Sequence, residues 1–464
     1  MDLRFSQPSF RRLGYLTLGV LSLMAIIYFR ERTLFTDAAY QVFHLIVDGK
    51  PLIAHSRFGN VLVQVLPWLA LKAQLPLQWI LIAYSVSYPL LFGLLYWLIV
   101  DRLGNERLGW VLVLLFTLLS FDTFYHIQSE FYQGLAFLLL LFALIWKYPR
   151  LERAWLWAAA VVLIALIANS HKLTVVFFTF LWIYFLLIEP AFRHWRYYLL
   201  MPVYLLIAVV FSQLFHSGYE AHKMDLFRQA LEQYFPNFWD MPANGKFLVK
   251  CVQYYYFFPL LLGGLSVFYF WKRRWGRLGW VWISTLGYLL LVHYSSPNTT
   301  YRFYAEVTYL PLSIFVATPF LFEIMPSIGK PQWWLIALAL LMVDRVLVIR
   351  SNAPTFTQRL DWLERRIGEA RQQEGGKRFY TNTYEAPMDT LIMPWGVAYE
   401  SLLLTALESP DSAATLFIQE AHNKQEEALR TPDLFIAAFD QLPARQLPDR
   451  YFKLGSGLYR WIEE

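Results

Sequence analysis

The sequence predicts a polytopic α-helical membrane protein with about eleven transmembrane helices, followed by a small soluble α/β domain. Hydrophobic residues make up 57% of the 464 residues and charged residues only 16%, which is too apolar for a soluble globular protein. Apolar runs of span length, many bordered by Trp or Tyr, recur from residue 13 to about residue 349. The hydropathy then falls, so residues 1–350 form the predicted transmembrane module and residues 351–464 the predicted α/β domain.

The spans follow from the apolar runs and the loops from the charges between them. Residues 61–71 are apolar but short, with Pro67 inside and Lys72 after them, which favours an interfacial or re-entrant segment. Lys and Arg collect in alternate loops, as expected of cytoplasmic loops. The eleven predicted spans lie near 13–29, 77–100, 108–121, 131–146, 155–170, 173–189, 197–215, 251–270, 278–294, 307–325 and 333–349.

An odd number of spans with a cytoplasmic N-terminus places residues 351–464 on the extracytoplasmic (periplasmic) face of a multi-pass protein of the plasma (inner) membrane. The same topology puts the segments 30–76, 121–130, 216–250 and 293–306 on the outer face. The formal net charge of +6 is spread over loops beside the membrane. That distribution suits anionic membrane lipids, and we expect no nucleic-acid partner.

The first outer segment carries polar residues at helical spacing. Asp37, Tyr40, Gln41, His44 and Asp48 lie mostly three or four residues apart, so a helix would place them on one flank. One interpretation is an amphipathic helix at the membrane surface whose polar side is only solvated. The other makes Asp37 a general base, with Tyr40 and Asp48 among the contacts to a sugar or an acceptor.

The second outer segment places Asp122, His126 and Glu130 at successive four-residue steps. If the neighbouring helix continued through them, these side chains would form a single stripe. Such a stripe could bind a divalent cation, hydrogen-bond a sugar or acceptor, or be ordinary loop polarity. The sequence leaves these three interpretations open.

Two basic residues lie close to predicted outer boundaries of the membrane. Lys172 follows His171 in a tight turn, where it either extends toward the lipid headgroups or binds a phosphate. Arg302 follows Tyr301 just before a span, with either a lipid phosphate or Glu306, four residues later, as its partner. The 216–250 segment, with His216, Glu220, His222 and Asp225, suits acceptor binding or simple covering of a cavity.

In this order along the chain, these motifs resemble the GT-C superfamily of integral-membrane glycosyltransferases, in particular the protein O-mannosyltransferases and the bacterial aminoarabinose transferases. The matching residues are Asp37-Ala38-Ala39-Tyr40 with Asp48-Gly49-Lys50-Pro51, and Tyr301-Arg302-Phe303-Tyr304 with Tyr309-Leu310-Pro311. The resemblance covers roughly residues 1–350. The first outer segment has one acid at Asp37, where many members of the superfamily have a pair.

The resemblance implies a sugar donor linked to polyprenyl or dolichyl phosphate, and inverting transfer to a hydroxyl of a glycan, lipid or protein acceptor. Asp37 would act as the catalytic base, while Lys172, Arg302 and Tyr301 would bind the donor phosphate. Tyr40, Asp48, Asp122, His126, Glu130 and His171 would contact the sugar or acceptor, with a divalent cation as an optional cofactor. The alternatives are a lipid-phosphate carrier or flippase, and a non-catalytic membrane scaffold.

The region after residue 350 predicts alternating helices and strands. Helices are expected at 357–373, 397–408 and 422–429, and strands at 378–381, 415–419, 434–439 and 454–462. We find no phosphate-binding loop, dinucleotide fingerprint or nucleophile elbow in it. We expect this domain to cover the active-site cavity, to help recognise the acceptor, or to be purely structural.

Overall fold

The computed structural model describes residues 8–53, 57–127, 130–215, 218–298, 301–420 and 425–462, without the side chains of residues 218–222 and 302. Most of these residues are helical. The first eleven helices are α1 (Pro8–Ile27), α2 (Phe29–Thr33), α3 (Thr36–Asp48), α4 (Val61–Lys72), α5 (Leu77–Trp97), α6 (Glu106–Thr117), α7 (Glu130–Lys147), α8 (Ala154–Ser170), α9 (Thr174–Ile188), α10 (Trp195–Tyr198) and α11 (Leu200–Leu214).

The second part of the chain continues with helices and then alternates helices with short strands. Its helices are α12 (Gly218–Tyr234), α13 (Pro242–Gln253), α14 (Phe257–Trp271), α15 (Trp275–Ser295), α16 (Arg302–Tyr309), α17 (Leu312–Pro319), α18 (Met325–Ile328), α19 (Pro331–Ser351), α20 (Ala353–Gln373), α21 (Met388–Leu391), α22 (Val397–Ala406) and α23 (Glu426–Leu429). The strands are β1 (Arg378–Asn382), β2 (Thr415–Gln419), β3 (Leu434–Ile436), β4 (Gln441–Pro443) and β5 (Arg460–Trp461).

Within the described residues, six helical runs are long and apolar enough to cross a membrane, and a pair of helices bent by 90° would make a seventh. These runs identify the chain as a helical membrane protein. The six are Pro8–Ile27, Leu77–Arg102, Glu130–Lys147, Trp195–Leu214, Phe303–Ile328 and Pro331–Gln373, and the bent pair is Pro242–Gln253 with Phe257–Trp271. The four other predicted spans fall on α6, α8, α9 and α15, so the count of eleven stays a prediction.

Helix α3, which carries the first predicted site, has a clear C-terminal end and a buried apolar flank. It ends at Gly49, whose φ of 66° is the left-handed conformation in which glycine commonly terminates a helix. Val42, Phe43 and Ile46 on this helix are buried. The predicted amphipathic helix is therefore confirmed, but its apolar flank packs against protein.

The region after residue 350 contains a three-stranded parallel sheet in the order β2–β1–β5 and an antiparallel pair, β3–β4. The predicted strands at 378–381 and 415–419 are confirmed almost to the residue. The predictions for 434–439 and 454–462 are too long, because β3 stops at Ile436 and β5 comprises only Arg460 and Trp461. Both are edge strands, and each forms backbone hydrogen bonds with a neighbouring strand over only two or three residues.

Two large hydrophobic cores hold the molecule together. One lies among the membrane-spanning helices, and the other joins α3, α4 and the first half of α5 to α20, α22 and the sheet. Phe43 of α3, for example, stacks on Phe435 of β3 with ring centroids 4.9 Å apart. The region after residue 350 thus packs directly on the helix that carries Asp37.

Candidate active site

The backbone leading into α3 has an unusual conformation directly before Asp37. Phe35 is extended, and Thr36 follows with a φ of +38°. A β-branched residue at positive φ costs on the order of 1–3 kcal/mol and persists only where neighbouring groups hold it. Such strain clusters at functional sites, although Thr36 shares a positive φ with five other non-glycine residues of the described chain, among them Ile392.

The group that holds Thr36 comes from the far end of the chain. Glu400 Oε1 on α22 accepts a hydrogen bond of 2.7 Å from the backbone N–H of Thr36. A Cβ on Gly396 would lie 2.8 Å from Thr36 Cα, so only glycine permits this approach. Residues 396–400 therefore fix the start of α3.

Glu400 is itself held by a buried ion pair with Arg359 of α20, and the side chains of both residues are almost completely buried. Arg359 also donates to the carbonyl of Leu391 and lies over the Phe35 ring, 5.0 Å from its centroid. Burial raises the pKa of Glu400, and the Arg359 charge opposes that rise. Removing one member of such a pair typically costs about 3–5 kcal/mol, since the other charge is left buried alone.

Asp37 lies at the centre of a small hydrogen-bonded group. Its Oδ2 accepts from the hydroxyl of Tyr304 at 2.9 Å and lies 3.1 Å from His126 Nε2. An ionised carboxylate only accepts, so the Nε2 of His126 carries the proton in this contact. The Asp37 side chain is 25% exposed, whereas His126 is 1% exposed. The Asp37 carboxylate is thus oriented by two hydrogen bonds while part of it stays accessible. This arrangement is suited to accepting a proton from a hydroxyl.

The His126 ring is fixed by aromatic neighbours. Phe303 and Tyr304 on α16 lie with ring centroids 4.7 and 5.3 Å from it, and Phe35 lies at 5.8 Å. Its Nδ1 is buried without a hydrogen-bond partner in the structure. Among the described residues, the polar contact of the ring is with Asp37, a geometry suited to orienting that carboxylate.

The turn that carries His126 is clamped by a buried acid. Glu306 Oε1 accepts from the backbone N–H groups of Phe121 and Thr123 at 2.6 and 2.8 Å, and its Oε2 accepts from Tyr255 at 2.7 Å. Glu306 is completely buried. Glu306 was one of two partners expected for Arg302. The described contacts of Glu306 instead hold the turn beside Asp37. The Arg302 side chain lies outside the described residues.

A second clamp on this turn comes from Arg32 on α2. Its guanidinium donates to the carbonyl of Phe124 and to Ser85 Oγ and O at 2.9 and 3.0 Å. It also lies 4.1 Å from the centroid of the Phe124 ring. These contacts attach the turn to α5. The turn before His126 is therefore held by Glu306 at Phe121 and Thr123 and by Arg32 at Phe124.

The predicted stripe of Asp122, His126 and Glu130 is wrong. Residues 121–126 form a turn, and their side chains diverge because the neighbouring helix does not continue through them. Asp122 accepts from Asn352 at 3.0 Å, His126 contacts Asp37, and Glu130 pairs with Arg57 at 3.3 Å. Among the described residues, no group of three His, Cys, Asp or Glu could hold a metal ion. The structure gives no support to the divalent cation.

Lys172 and His171 belong to a second polar cluster, around Arg57. The loop that carries Arg57 meets the α8–α9 turn, where Phe58 N–H donates to Asn169 Oδ1 at 2.9 Å. Burial, together with the charges of Arg57, Lys223 and Lys172, lowers the pKa of His171 to about 3. His171 is therefore neutral at physiological pH, and Lys172, which is exposed, adds to a local positive field.

One polar chain links this cluster to α3. Gln41, one turn after Asp37, accepts from Asn60 at 3.1 Å and from Tyr84 at 2.6 Å. Asn60 lies in the same loop as Arg57, which pairs with Glu130. Asn60 thus connects the loop that carries Arg57 to α3, one turn after Asp37.

Tyr40 and Asp48 lie on the side of α3 that faces the C-terminal region. Tyr40 contacts the rings of Tyr399 and Phe439, with centroids 5.3 and 6.0 Å apart. Asp48 lies 3.4 Å from His44 Nδ1, and Asp440 lies 3.0 Å from His44 Nε2. These residues form a third group, beside Asp37 but separate from the Arg57 cluster.

The structure therefore brings together Asp37 and His126, and separately Glu130 and His171 through Arg57. Tyr301 lies next to the first group, 6.2 Å from the Tyr304 ring. His216 and the side chains of Glu220 and His222 lie outside the described residues. Asp37 contacts His126 and Tyr304, whereas Lys172 lies in the α8–α9 turn.

Three contributors to the site were not identified from the sequence. Tyr304 is one of several aromatic residues near Arg302, and nothing in the sequence distinguished it from them. Arg57 was interpreted only as part of a loop that returns to the membrane. Glu400 had the clearest signal, since it is an acid inside the apolar run of α22, where an unpaired charge would be costly.

No protein-family model matches the chain, and no curated protein or solved structure shows significant similarity to it. The resemblance to the GT-C superfamily therefore depends on the residues and their placement alone. We carry it forward as a proposal.

Proposed function

We propose that this protein is a glycosyltransferase that moves a sugar from a polyprenyl- or dolichyl-phosphate donor to an acceptor hydroxyl on the extracytoplasmic face of the membrane. The observation that carries the proposal is Asp37, a partly exposed carboxylate fixed by His126 and Tyr304 shortly after the first long apolar helix. The proposal includes the eleven-span topology, with the α/β domain outside.

In the proposed reaction, an acceptor hydroxyl attacks the anomeric carbon as the bond from that carbon to the phosphate oxygen breaks. Asp37 accepts the hydroxyl proton, and the hydrogen bond from His126 holds the carboxylate in line with the attacking oxygen. The sugar is transferred with inversion, and the lipid phosphate leaves with both electrons of the broken bond. The proton passes from Asp37 to water after the transfer.

The leaving phosphate needs positive charge at the membrane surface, and the Arg57 cluster provides it. Lys172 is exposed in the α8–α9 turn, and its charge together with that of Arg57 acts on His171. Cations at this position stabilise the charge that develops on a departing phosphate. This supports Lys172 as a donor contact and adds Arg57 to it, while Arg302 and Tyr301 remain proposed contacts from the resemblance.

The test measures donor breakdown by the purified protein in proteoliposomes. Polyprenyl phosphates carrying a radiolabelled sugar are supplied with an acceptor mixture, and both free polyprenyl phosphate and labelled acceptor are measured. We expect both products to form in equal amounts. Lys172→Ala should raise KM for the donor roughly tenfold, about 1.4 kcal/mol of lost phosphate binding.

Lys272→Ala is the matched control, because Lys272 is also exposed but lies in a predicted cytoplasmic loop. It should leave KM for the donor unchanged. Donor binding without any release of polyprenyl phosphate would contradict transferase activity and favour a lipid-phosphate carrier. Absence of donor binding would favour a scaffold.

A further inference from the structure

Three aromatic residues form a continuous surface beside Asp37, which we call the aromatic platform: Tyr40, Trp395 and Phe439. We propose that this platform binds a carbohydrate ring of the acceptor, so that the acceptor is a saccharide. This inference rests on the proposed function and names the acceptor class that it leaves open.

The Tyr40 ring packs edge to face against Trp395 and Phe439, whose own rings lie at an interplanar angle of 53°. The centroids of Tyr40 and Trp395 are 6.2 Å apart, those of Tyr40 and Phe439 are 6.0 Å apart, and those of Trp395 and Phe439 are 5.2 Å apart. Rings packed this closely leave no central space, so they do not form a cage around a cation. They present a surface on which a flat apolar face can lie.

Phe439 is the most exposed member of the platform, at 67%. An exposed aromatic ring joined to two others is a larger apolar surface than scattered single residues provide. Because a pyranose ring has an apolar face of C–H groups, it can cover such a surface while its hydroxyls stay at the edges. A ligand of this shape would bury Phe439 without burying polar groups unpaired.

Carboxylates border the platform and favour a neutral ligand with hydroxyl donors. Asp48 is 40% exposed beside His44, and Asp440 lies on the other side of the same imidazole. A phosphate would be repelled by these acids and by Asp37. A saccharide hydroxyl would donate to the exposed Asp48, whereas a lipid chain would offer that carboxylate no donor.

The platform adjoins the proposed base. Tyr40 is three residues after Asp37 on α3, close to one helical turn. The Tyr304 hydroxyl, which donates to Asp37, also lies 3.9 Å from Met393 Sδ, and the Trp395 indole N–H donates to that sulfur. A sugar lying on the platform would therefore place its hydroxyls within reach of Asp37.

The experiment measures binding, independently of transfer. Full-length protein in detergent, carrying a fluorescent label, is applied to an array of immobilised oligosaccharides and Ser/Thr-containing peptides. We expect binding to a subset of the oligosaccharides, weakened at least about tenfold by Phe439→Ala and retained by Phe439→Trp. Phe270→Ala is the matched control, because Phe270 is 63% exposed on α14 outside the platform, and it should bind like the wild type.

Binding to peptides alone, binding to no oligosaccharide, or equal loss in Phe439→Ala and Phe270→Ala would each overturn the proposal. Asp37→Asn separates this inference from the proposed function, because that variant should bind oligosaccharides but transfer sugar about 10²- to 10⁴-fold more slowly than the wild type. If Asp37→Asn transfers sugar normally while Phe439→Ala loses binding, the catalytic assignment fails and the saccharide site stands.

Discussion

At the scale of single residues, the account depends on the short interval from Phe35 to Asp37. Thr36 adopts a backbone conformation that is unfavourable for a β-branched side chain, and Glu400 holds it there. This conformation turns Asp37 toward His126 and Tyr304. A solvated surface helix would need neither the strain nor the two side-chain contacts to Asp37.

The contacts to Asp37 predict the effect of removing them. Tyr304→Phe and His126→Gln should each lower kcat roughly 10- to 100-fold with KM nearly unchanged, because a hydrogen bond to a charged group contributes about 1.5–3 kcal/mol. Steady-state transfer rates over a range of acceptor concentrations give both constants. Tyr198→Phe, at a ring of similar exposure near the cytoplasmic start of the predicted span 197–215, is the control. A raised KM with unchanged kcat would mean that these residues bind substrate and do not orient the base.

The close approach of Gly396 to Thr36 predicts a second effect. Gly396→Ala should destabilise the protein by about 1–3 kcal/mol, because the added methyl group would meet Thr36 Cα and Glu400 Oε1. Gly368→Ala is the matched control on α20, since nothing lies within 4 Å of its Cβ position, and it should stabilise by up to about 1 kcal/mol. Thermal unfolding in detergent measures both changes. Equal unfolding temperatures for the two variants would show that the contact with Thr36 is not tight.

At the scale of elements, α3 is joined to the C-terminal region by the His44–Asp440 contact as well as by Glu400. Burial alone would lower the pKa of His44, but the hydrogen bond and charge of Asp440, with the charge of Asp48, raise it above the ordinary value. Burial likewise opposes ionisation of Asp440, yet the hydrogen bonds from His44 and Tyr399 lower the pKa of that carboxyl. Both shifts therefore favour the ionised form of the pair.

These shifts predict how the stability of the protein changes with pH. A raised pKa of His44 stabilises the fold fully below its unfolded value of about 6.5, and this contribution is lost as the pH rises through the folded value. The lowered pKa of Asp440 contributes above its unfolded value of 3.8 and is lost on acidification. Unfolding temperatures of the wild type should thus fall more steeply above neutral pH than those of His44→Gln. Parallel curves would contradict the ion pair, and His194→Gln serves as control.

The sequence predicted elements better than it predicted their contacts. The amphipathic pattern of α3 and the β-branched and aromatic runs of β1 and β2 are local, so periodicity sufficed to find them. The stripe at Asp122, His126 and Glu130 was wrong because Glu306 and Arg32, both distant in sequence, impose a turn there. Similarly, no local pattern could show that Glu400 meets Thr36 across 364 residues.

At the scale of the whole molecule, the C-terminal region shares a hydrophobic core with α3 instead of standing apart. Covering the active site, one of the roles expected from the sequence, requires this region to lie on the same side of the membrane as Asp37. The contacts of Met393, Gly396 and Glu400 agree with that role. Because of these contacts, the proposed function requires the C-terminal region and Asp37 to lie on the same side of the membrane.

The topology can be read by labelling introduced cysteines, since the native Cys251 is buried and can be replaced in a Cys251→Ser background. In intact cells, a membrane-impermeant maleimide should label Glu374→Cys, in the exposed linker after α20, and should label Arg150→Cys only after permeabilisation. Labelling of both positions in intact cells would contradict the prediction that an odd number of spans separates them.

The most direct test of the central claim is the single-turnover rate of sugar transfer from a polyprenyl-phosphate donor by Asp37→Asn. Asparagine keeps the size of the side chain but cannot accept the acceptor proton. We predict a rate about 10²- to 10⁴-fold lower than that of the wild type, with Asp411→Asn, an exposed acid far along the chain, unchanged. Transfer by Asp37→Asn at the wild-type rate would contradict the account.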